Sequence, residues 1–180
     1  MVALAYLLLS HKAKCWRMGP ASLLGIAIHL AVFFKLPDFS RPAGLRVPLW
    51  CMIVGNGYAL VALASYLTLG RNIAIIPSVK NVVTGGIYRL VRHPVYASFI
   101  HMSLFTAIFW PNRVNVLRAV GMFAGAVLRV RDEEAVLAQV PAYLAYRRDV
   151  TLRFFHPALS LPLLAVFLHK MMASWVLNRI

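Results

Sequence analysis

Acidic residues are what this chain most lacks. Five aspartates and glutamates stand against nineteen lysines and arginines, a formal net charge of +14. That imbalance raises nucleic acid as a partner. The cations, however, punctuate apolar runs instead of gathering on a soluble module. Hydrophobic residues make up 61% of the 180 and charged ones 13%. This balance lies outside that of an ordinary soluble domain and fits a membrane protein facing anionic lipid, so no nucleic-acid partner is expected. Cysteine is scarce as well. Cys15 and Cys51 lack metal-ligand spacing, and no third or fourth cysteine completes a set. A disulfide scaffold and a structural zinc are both disfavoured, and no metal is expected. There is no internal repeat and no low-complexity segment, and the length is that of one domain. Near Met1 neither a charged n-region nor a convincing cleavage site stands out, so no removable signal peptide is expected.

What is present is a series of apolar runs. Val2–Leu9 is too short to span a bilayer, which takes about 20 residues. A basic cluster, His11–Arg17, follows. Ala21–Leu36 and Val47–Leu69 read as spanning helices, separated by a loop over Pro37–Arg46. Gly55-Asn56-Gly57 in the second reads as close helix packing. Val95–Trp110 and Val114–Val130 are split only by Pro111-Asn112-Arg113, a link short enough to make them a helical hairpin. Gly121 and Gly125 form a small-xxx-small packing face on its second arm. Pro157–Leu177 is apolar again but interrupted by Pro162, His169 and Lys170.

Five spans make an all-α polytopic membrane helical bundle, 1–180 as one membrane domain. Its parts are N-terminal helices (1–69), a polar-and-hairpin core (70–157) and a C-terminal apolar segment (158–180). Residues 1–20, 70–94 and 131–156 then share one face, with Lys12, Lys14, Arg17, Arg71, Lys80, Arg89, Arg92, Arg129, Arg131, Arg147, Arg148 and Arg153. That is twelve of the nineteen cations, and four of the five acids lie there too. The positive-inside rule makes that face cytoplasmic.

The densest polar chemistry is GIYRLVRHPVY, Gly86–Tyr96. Arg92 and His93 precede Pro94, and proline suits the first turn of a helix. A helix N-terminus beside an arginine and a histidine makes an anion-binding corner; the competing reading is a basic loop snorkelling at a membrane surface. On the hairpin's second arm Glu133 lies four residues after Arg129, as in an intrahelical ion pair. Glu134 then points about 100° around the helix and is left unexplained. Further on, Tyr143 and Tyr146 share a helical face, with Arg147 and Arg153 after them; an amphipathic interfacial segment would look the same. His101 lies on about the same helical face as His93. It reads either as an acceptor-pocket residue or as a packed neutral histidine bonded to a neighbouring helix.

Taken together, LG-x-N, GIYRLVRHPVY, a span, R-x-x-EE-x-x-L, Y-x-x-Y and an arginine shortly before Pro157 resemble the isoprenylcysteine carboxyl methyltransferase and phospholipid methyltransferase superfamily. The likeness covers roughly Leu69 to Pro157. It implies S-adenosyl-L-methionine as cofactor, bound at the cytoplasmic end of the last membrane helices. It further implies Gly86, Tyr88, Arg92, His93, Pro94, Tyr96, Glu133 and Glu134 as cofactor-binding residues. Arg92, His93, Glu134 and Arg153 are the catalytic candidates. His101, Tyr143, Tyr146 and Arg147 are the candidates at the acceptor end. The carboxylate of such a cofactor suits Arg92, His93 and the helix N-terminus, its ammonium and ribose suit Glu133 or Glu134, and its sulfonium suits the face of Tyr96. Two departures stand out: Val140-Pro141 where the family often has Phe-Gly after the glutamates, and Ser98 in place of a glycine. The acceptor stays open between a prenylcysteine carboxylate, a phospholipid amine, a small thiol and a quinone-like lipid. The expected partner is a membrane lipid or lipophilic small molecule, and the protein is expected as a monomer or homodimer. A sterol-reductase-like NADPH oxidoreductase and a non-enzymatic membrane scaffold are the competing functions.

Overall fold

The computed structural model describes residues 15–16, 19–20, 23–28, 47–73, 78–79 and 81–177. Val2–Leu9, Lys12, Lys14, Arg17, Lys80, the Pro37–Arg46 loop and most of Ala21–Leu36 lie outside the described residues; within that last run, 23–28 are helical. The main helices are α1 (Leu49–Leu69), α2 (Pro94–Phe109), α3 (Arg113–Leu137), α4 (Pro141–Asp149) and α5 (Pro157–Leu177). Short 3-10 turns occupy Gly70–Asn72 and Gly86–Arg89, and Cys15–Trp16 pairs antiparallel with Ser78–Val79. Leu49–Asn72 and Pro157–Trp175 are long and apolar enough to cross a membrane. Pro94–Phe109 is apolar but shorter: its 16 residues rise about 24 Å, less than the hydrocarbon core of roughly 30 Å.

Helix α2 is the centre of the bundle and packs on α1, α3 and α5. It begins where its sequence says it should. His93 is the N-cap and Pro94 holds the first helical position. It stops at Phe109, because Pro111 cannot continue it. Asn112 then starts α3 by accepting a hydrogen bond from the Asn115 N–H at 2.8 Å. The hairpin expected from Pro111-Asn112-Arg113 is thus built, but its second arm runs on past Val130 to Leu137. Arg131 to Leu137 is rich in good helix formers, with Arg131, Glu133, Glu134, Ala135 and Leu137. The helix therefore outlasts the apolar run and carries both glutamates on a rigid element.

Contacts between the helices depend on small side chains. A Cβ on Gly55 would lie 2.8 Å from the Phe105 ring, so the absence of a side chain there lets α1 and α2 approach. Gly57 meets nothing and serves no such purpose. A Cβ on Gly25 would come within 3.1 Å of the Gly125 carbonyl, so residues 23–28 close on α3 at its small-residue face. α5 passes through Pro162 and forgoes one helical hydrogen bond. Leu159, Leu163 and Val166, spaced at helical period and buried, hold it against the bundle. The Tyr58 hydroxyl ties α1 to α5 by donating to the Leu159 carbonyl at 2.8 Å.

Candidate active site

The chain joins its two polar stretches through the backbone first. The N–H groups of Arg92 and His93 donate to the carbonyls of Leu152 and Arg153, at 2.9 and 3.1 Å. The segment leaving α4 is thereby strapped to the residues that enter α2. Arg92 tightens the strap, since its Nη1 donates to the carbonyls of Val150 (2.8 Å) and Thr151 (2.6 Å). Tyr146, on α4, donates to the Tyr88 carbonyl at 2.6 Å and anchors the 3-10 turn. Gly86 starts that turn at φ +57°, a left-handed conformation, with Thr68 of α1 close by; a side chain there would be strained. A stretch as polar and basic as Gly70 to His93 belongs by composition at the surface. Its last part is instead interior: Tyr88, Val91, Arg92 and His93 are buried. The snorkelling-loop alternative fails for the same reason.

Glu134 lies at the middle of a four-residue ionic cluster. Its Oε1 accepts from Arg92 Nε at 3.0 Å and lies 3.2 Å from His93 Nε2. Arg153 reaches the same carboxylate, with Nη2 2.7 Å from Oε2 and Nε within 3.2 Å of both oxygens. Glu134 is 5% exposed. Burial pushes its pKa up, but hydrogen bonds from His93, Arg153 and Arg92 outweigh it and hold the carboxyl well below the usual carboxylate range. Arg92, His93 and Glu134 therefore do not face each other across an open site as two halves of a clamp. They are bonded to one another.

Glu133 behaves differently. Tyr96 stands between it and Arg129: the Tyr96 hydroxyl accepts from Arg129 Nε at 2.9 Å and donates to Glu133 Oε2 at 3.2 Å. The link expected between Arg129 and Glu133 on one helix thus includes a tyrosine from another. These three residues, Arg92 and His93 line a cleft of about 380 Å³. Tyr88, Tyr143 and Tyr146, buried and packed as one aromatic cluster, line it too. The tyrosines do not form a surface belt. Burial raises the Tyr146 pKa to about 12. Burial, and then the neighbouring Glu134 charge, raise that of Tyr143. The Tyr143 hydroxyl is buried and makes no hydrogen bond of good geometry, although the Glu134 carboxylate lies near it.

Six sequence candidates do not line this cleft: Gly86, Pro94, Glu134, His101, Arg147 and Arg153. His101 is fully buried, with Nδ1 2.7 Å from the Ala97 carbonyl and Nε2 3.0 Å from Ser160 Oγ. Its ring packs between Tyr58 and Phe155. Both nitrogens are thus engaged, one of them by a neighbouring helix. Arg147 is exposed and, with Arg153 and Glu134, borders a second cleft. Sequence reasoning missed the carbonyls of Val150 to Arg153, since backbone acceptors leave no mark on side-chain identity. It also missed Phe99 and Tyr66 along the cleft, and gave the asparagine of LG-x-N, Asn72, no place in the site.

Over residues 49–139 the chain matches the model of the isoprenylcysteine carboxyl methyltransferase family. That match covers half of the chain, with the cleft's Arg92, His93 and Glu133 inside it. The chain belongs to the isoprenylcysteine carboxyl methyltransferase family. It is a family of membrane methyltransferases, and the two long apolar helices agree with that. The match starts well before the Leu69–Pro157 likeness read from the sequence and stops short of Tyr143. Among curated proteins nothing matches the chain. No solved structure matches it either.

Proposed function

We propose that the protein is an integral membrane S-adenosylmethionine-dependent methyltransferase, with its cofactor in the cleft lined by Glu133 and the tyrosine cluster and its acceptor a lipophilic or small molecule. The observation carrying this reading is that cleft: opposite charges and a buried hydroxyl without a hydrogen bond of good geometry meet in it. At about 380 Å³ it is of the size that holds a small ligand. Glu133 offers a carboxylate to an ammonium or a pair of ribose hydroxyls. Arg92 has Nε and Nη1 engaged by the protein, leaving Nη2 to meet a carboxylate, with His93 beside it. Tyr143 adds a donor with no internal hydrogen bond of good geometry. The aromatic rings of Tyr88 and Tyr96 suit a sulfonium. These groups fit the cofactor.

When bound, S-adenosylmethionine supplies a methyl group already activated for in-line displacement. The chain's own residues then have mainly to position and to exclude water. Glu134 acts as a positioning residue, since Arg92, His93 and Arg153 converge on it. Glu133 takes the role of direct contact. A carboxylate or thiolate acceptor needs no base; an amine or thiol acceptor has a proton to lose. In this reading the site lies at the cytoplasmic face of a multi-pass bundle, and residues 70–157 form its catalytic core. The charge distribution in the sequence supports that orientation.

The test is calorimetric titration of the detergent-purified protein with S-adenosylmethionine and, separately, NADPH. Glu133→Gln removes the one carboxylate assigned to direct contact and should weaken S-adenosylmethionine binding roughly ten- to a hundredfold, as expected for a lost charge-assisted hydrogen bond. Binding of NADPH alone, or unchanged S-adenosylmethionine affinity in Glu133→Gln, would count against the reading.

A further inference from the structure

A second cleft, of about 430 Å³, is lined by Glu134 and shares no lining residue with the first. Its floor is apolar, from Val127, Val130 and Phe154, and its rim carries Arg131, Arg147 and Arg153. Three guanidinium groups thus share the cleft with one carboxylate, Glu134, which Arg153 pairs with and which Arg92 and His93 also contact. The excess of positive charge at the rim has no counterpart among the residues that line it. Guanidinium groups suit a phosphate, which they can grip with paired hydrogen bonds.

The floor does not end at the cleft. Val116, Val120, Phe123 and Val127 recur at helical period along α3, and Arg131 and Glu134 continue the same stripe. The four apolar residues are between 41% and 59% exposed. Phe123 meets the rings of Phe154 and Phe155, which extend the apolar surface alongside. An apolar stripe leading into a basic pocket has the polarity of an anionic amphiphile, tail along the helix and head at its end.

We infer that this groove binds an anionic phospholipid of the surrounding membrane, its phosphate among Arg131, Arg147 and Arg153 and an acyl chain along Val127 and Phe123. Free phosphate would use only the rim and leave the apolar floor uncovered. A zwitterionic lipid would leave the rim's excess charge unmatched. Arg153 also holds Glu134, so the lipid would sit one side chain away from the cofactor cleft. The inference itself does not rest on the methyltransferase reading.

The full-length protein is reconstituted in nanodiscs of phosphatidylcholine with a minor share of phosphatidylglycerol, released into mild detergent and examined by native mass spectrometry. Phosphatidylglycerol should stay bound in excess of its share. The double variant Arg131→Ala, Arg147→Ala should lose about fivefold per arginine. Arg148→Ala, an exposed neighbour that does not line the groove, should lose almost nothing. Val127→Trp keeps every charge but fills the floor, and should displace the lipid too. Full retention by the double variant, or equal loss in Arg148→Ala, overturns the proposal. So does displacement by inorganic phosphate at the concentration of a short-chain phosphatidylglycerol, which would reduce the groove to an anion site. No cofactor enters this measurement, so its failure is distinct from a failure to bind S-adenosylmethionine.

Discussion

The two ends of α2 meet the same physical demand in different ways. A helix end leaves backbone groups without intrahelical partners, and in a dry setting each needs one. At the C-terminal end, Lys170 of α5 donates to the carbonyls of Ile108 (2.6 Å) and Phe109 (2.5 Å), and the Asn115 side chain donates to the Trp110 carbonyl at 2.8 Å. Phe105, Phe109 and Trp110 pack around them, each ring within 6.4 Å of the other two. One cation and aromatic packing close that end. At the N-terminal end the chain brings in two arginines, a histidine and a glutamate, and leaves two clefts beside them, one lined by Arg92 and His93 and the other by Glu134 and Arg153. Capping alone requires nothing so elaborate. The surplus of polar groups at one end, against economy at the other, is what marks a site.

Breaking the charged end should have the larger effect. Glu134→Gln leaves Arg92, His93 and Arg153 converging on a neutral group. Removing one member of a buried ion pair typically costs about 3–5 kcal/mol, so thermal unfolding in detergent should show a large drop. Cofactor affinity should fall as well, because Arg92 and His93 lose their anchor. In the parent the sign with pH follows from the depressed pKa of this carboxyl. Its contribution is complete above the ordinary carboxylate range and is lost only as pH falls well below it. A variant as stable as the parent, and with the same acid limb, would show that the cluster is ornamental.

The closed end should respond more weakly and on one measure only. Lys170→Met frees two carbonyls, at about 1 kcal/mol each, the low end for an unmet polar group because both contacts are only part-buried. S-adenosylmethionine affinity should not change, since the lysine lies at the other end of the helix from the cleft. A loss of affinity comparable to that of Glu133→Gln would erase the distinction between the ends.

Much of this contrast could be read from residues, and the part that could not has identifiable causes. The start of α2 was legible because Pro94 has few other places to go, and the hairpin because Pro111-Asn112-Arg113 is too short for anything else. Where α3 ends was not legible. Hydropathy falls at Arg129 to Glu134, while the helix, rich there in good formers, continues. The burial of Arg92 depends on carbonyls some sixty residues away, and carbonyls carry no sequence signal. Glu133 and Glu134 were recognisable as a pair. Their division, one into the cleft and one into the cluster, depends on how α3 is rotated against α2, and adjacency in sequence says only that they diverge. For His101 the two readings were both stated, and its paired nitrogens agree with the packed one.

The finest test concerns a single oxygen. The Tyr143 hydroxyl is buried at the cleft with no hydrogen bond of good geometry, and such a group is destabilising, by about 1–3 kcal/mol, unless something meets it. If the fold were the only reason for it, phenylalanine would serve better. Tyr143→Phe should therefore leave the empty protein as stable as the parent or slightly more so. Its neighbours Tyr146 and Tyr88 are held by their own contacts, so the ring should stay in place. With S-adenosylmethionine present the order should reverse: the parent gains more thermal stability than the variant, and affinity falls by up to about tenfold, as for one neutral hydrogen bond. Paired melting curves with and without cofactor measure both effects at once. Equal shifts in the two proteins would mean that the hydroxyl does not meet the cofactor, and Tyr143 would pass to the acceptor side of the cleft.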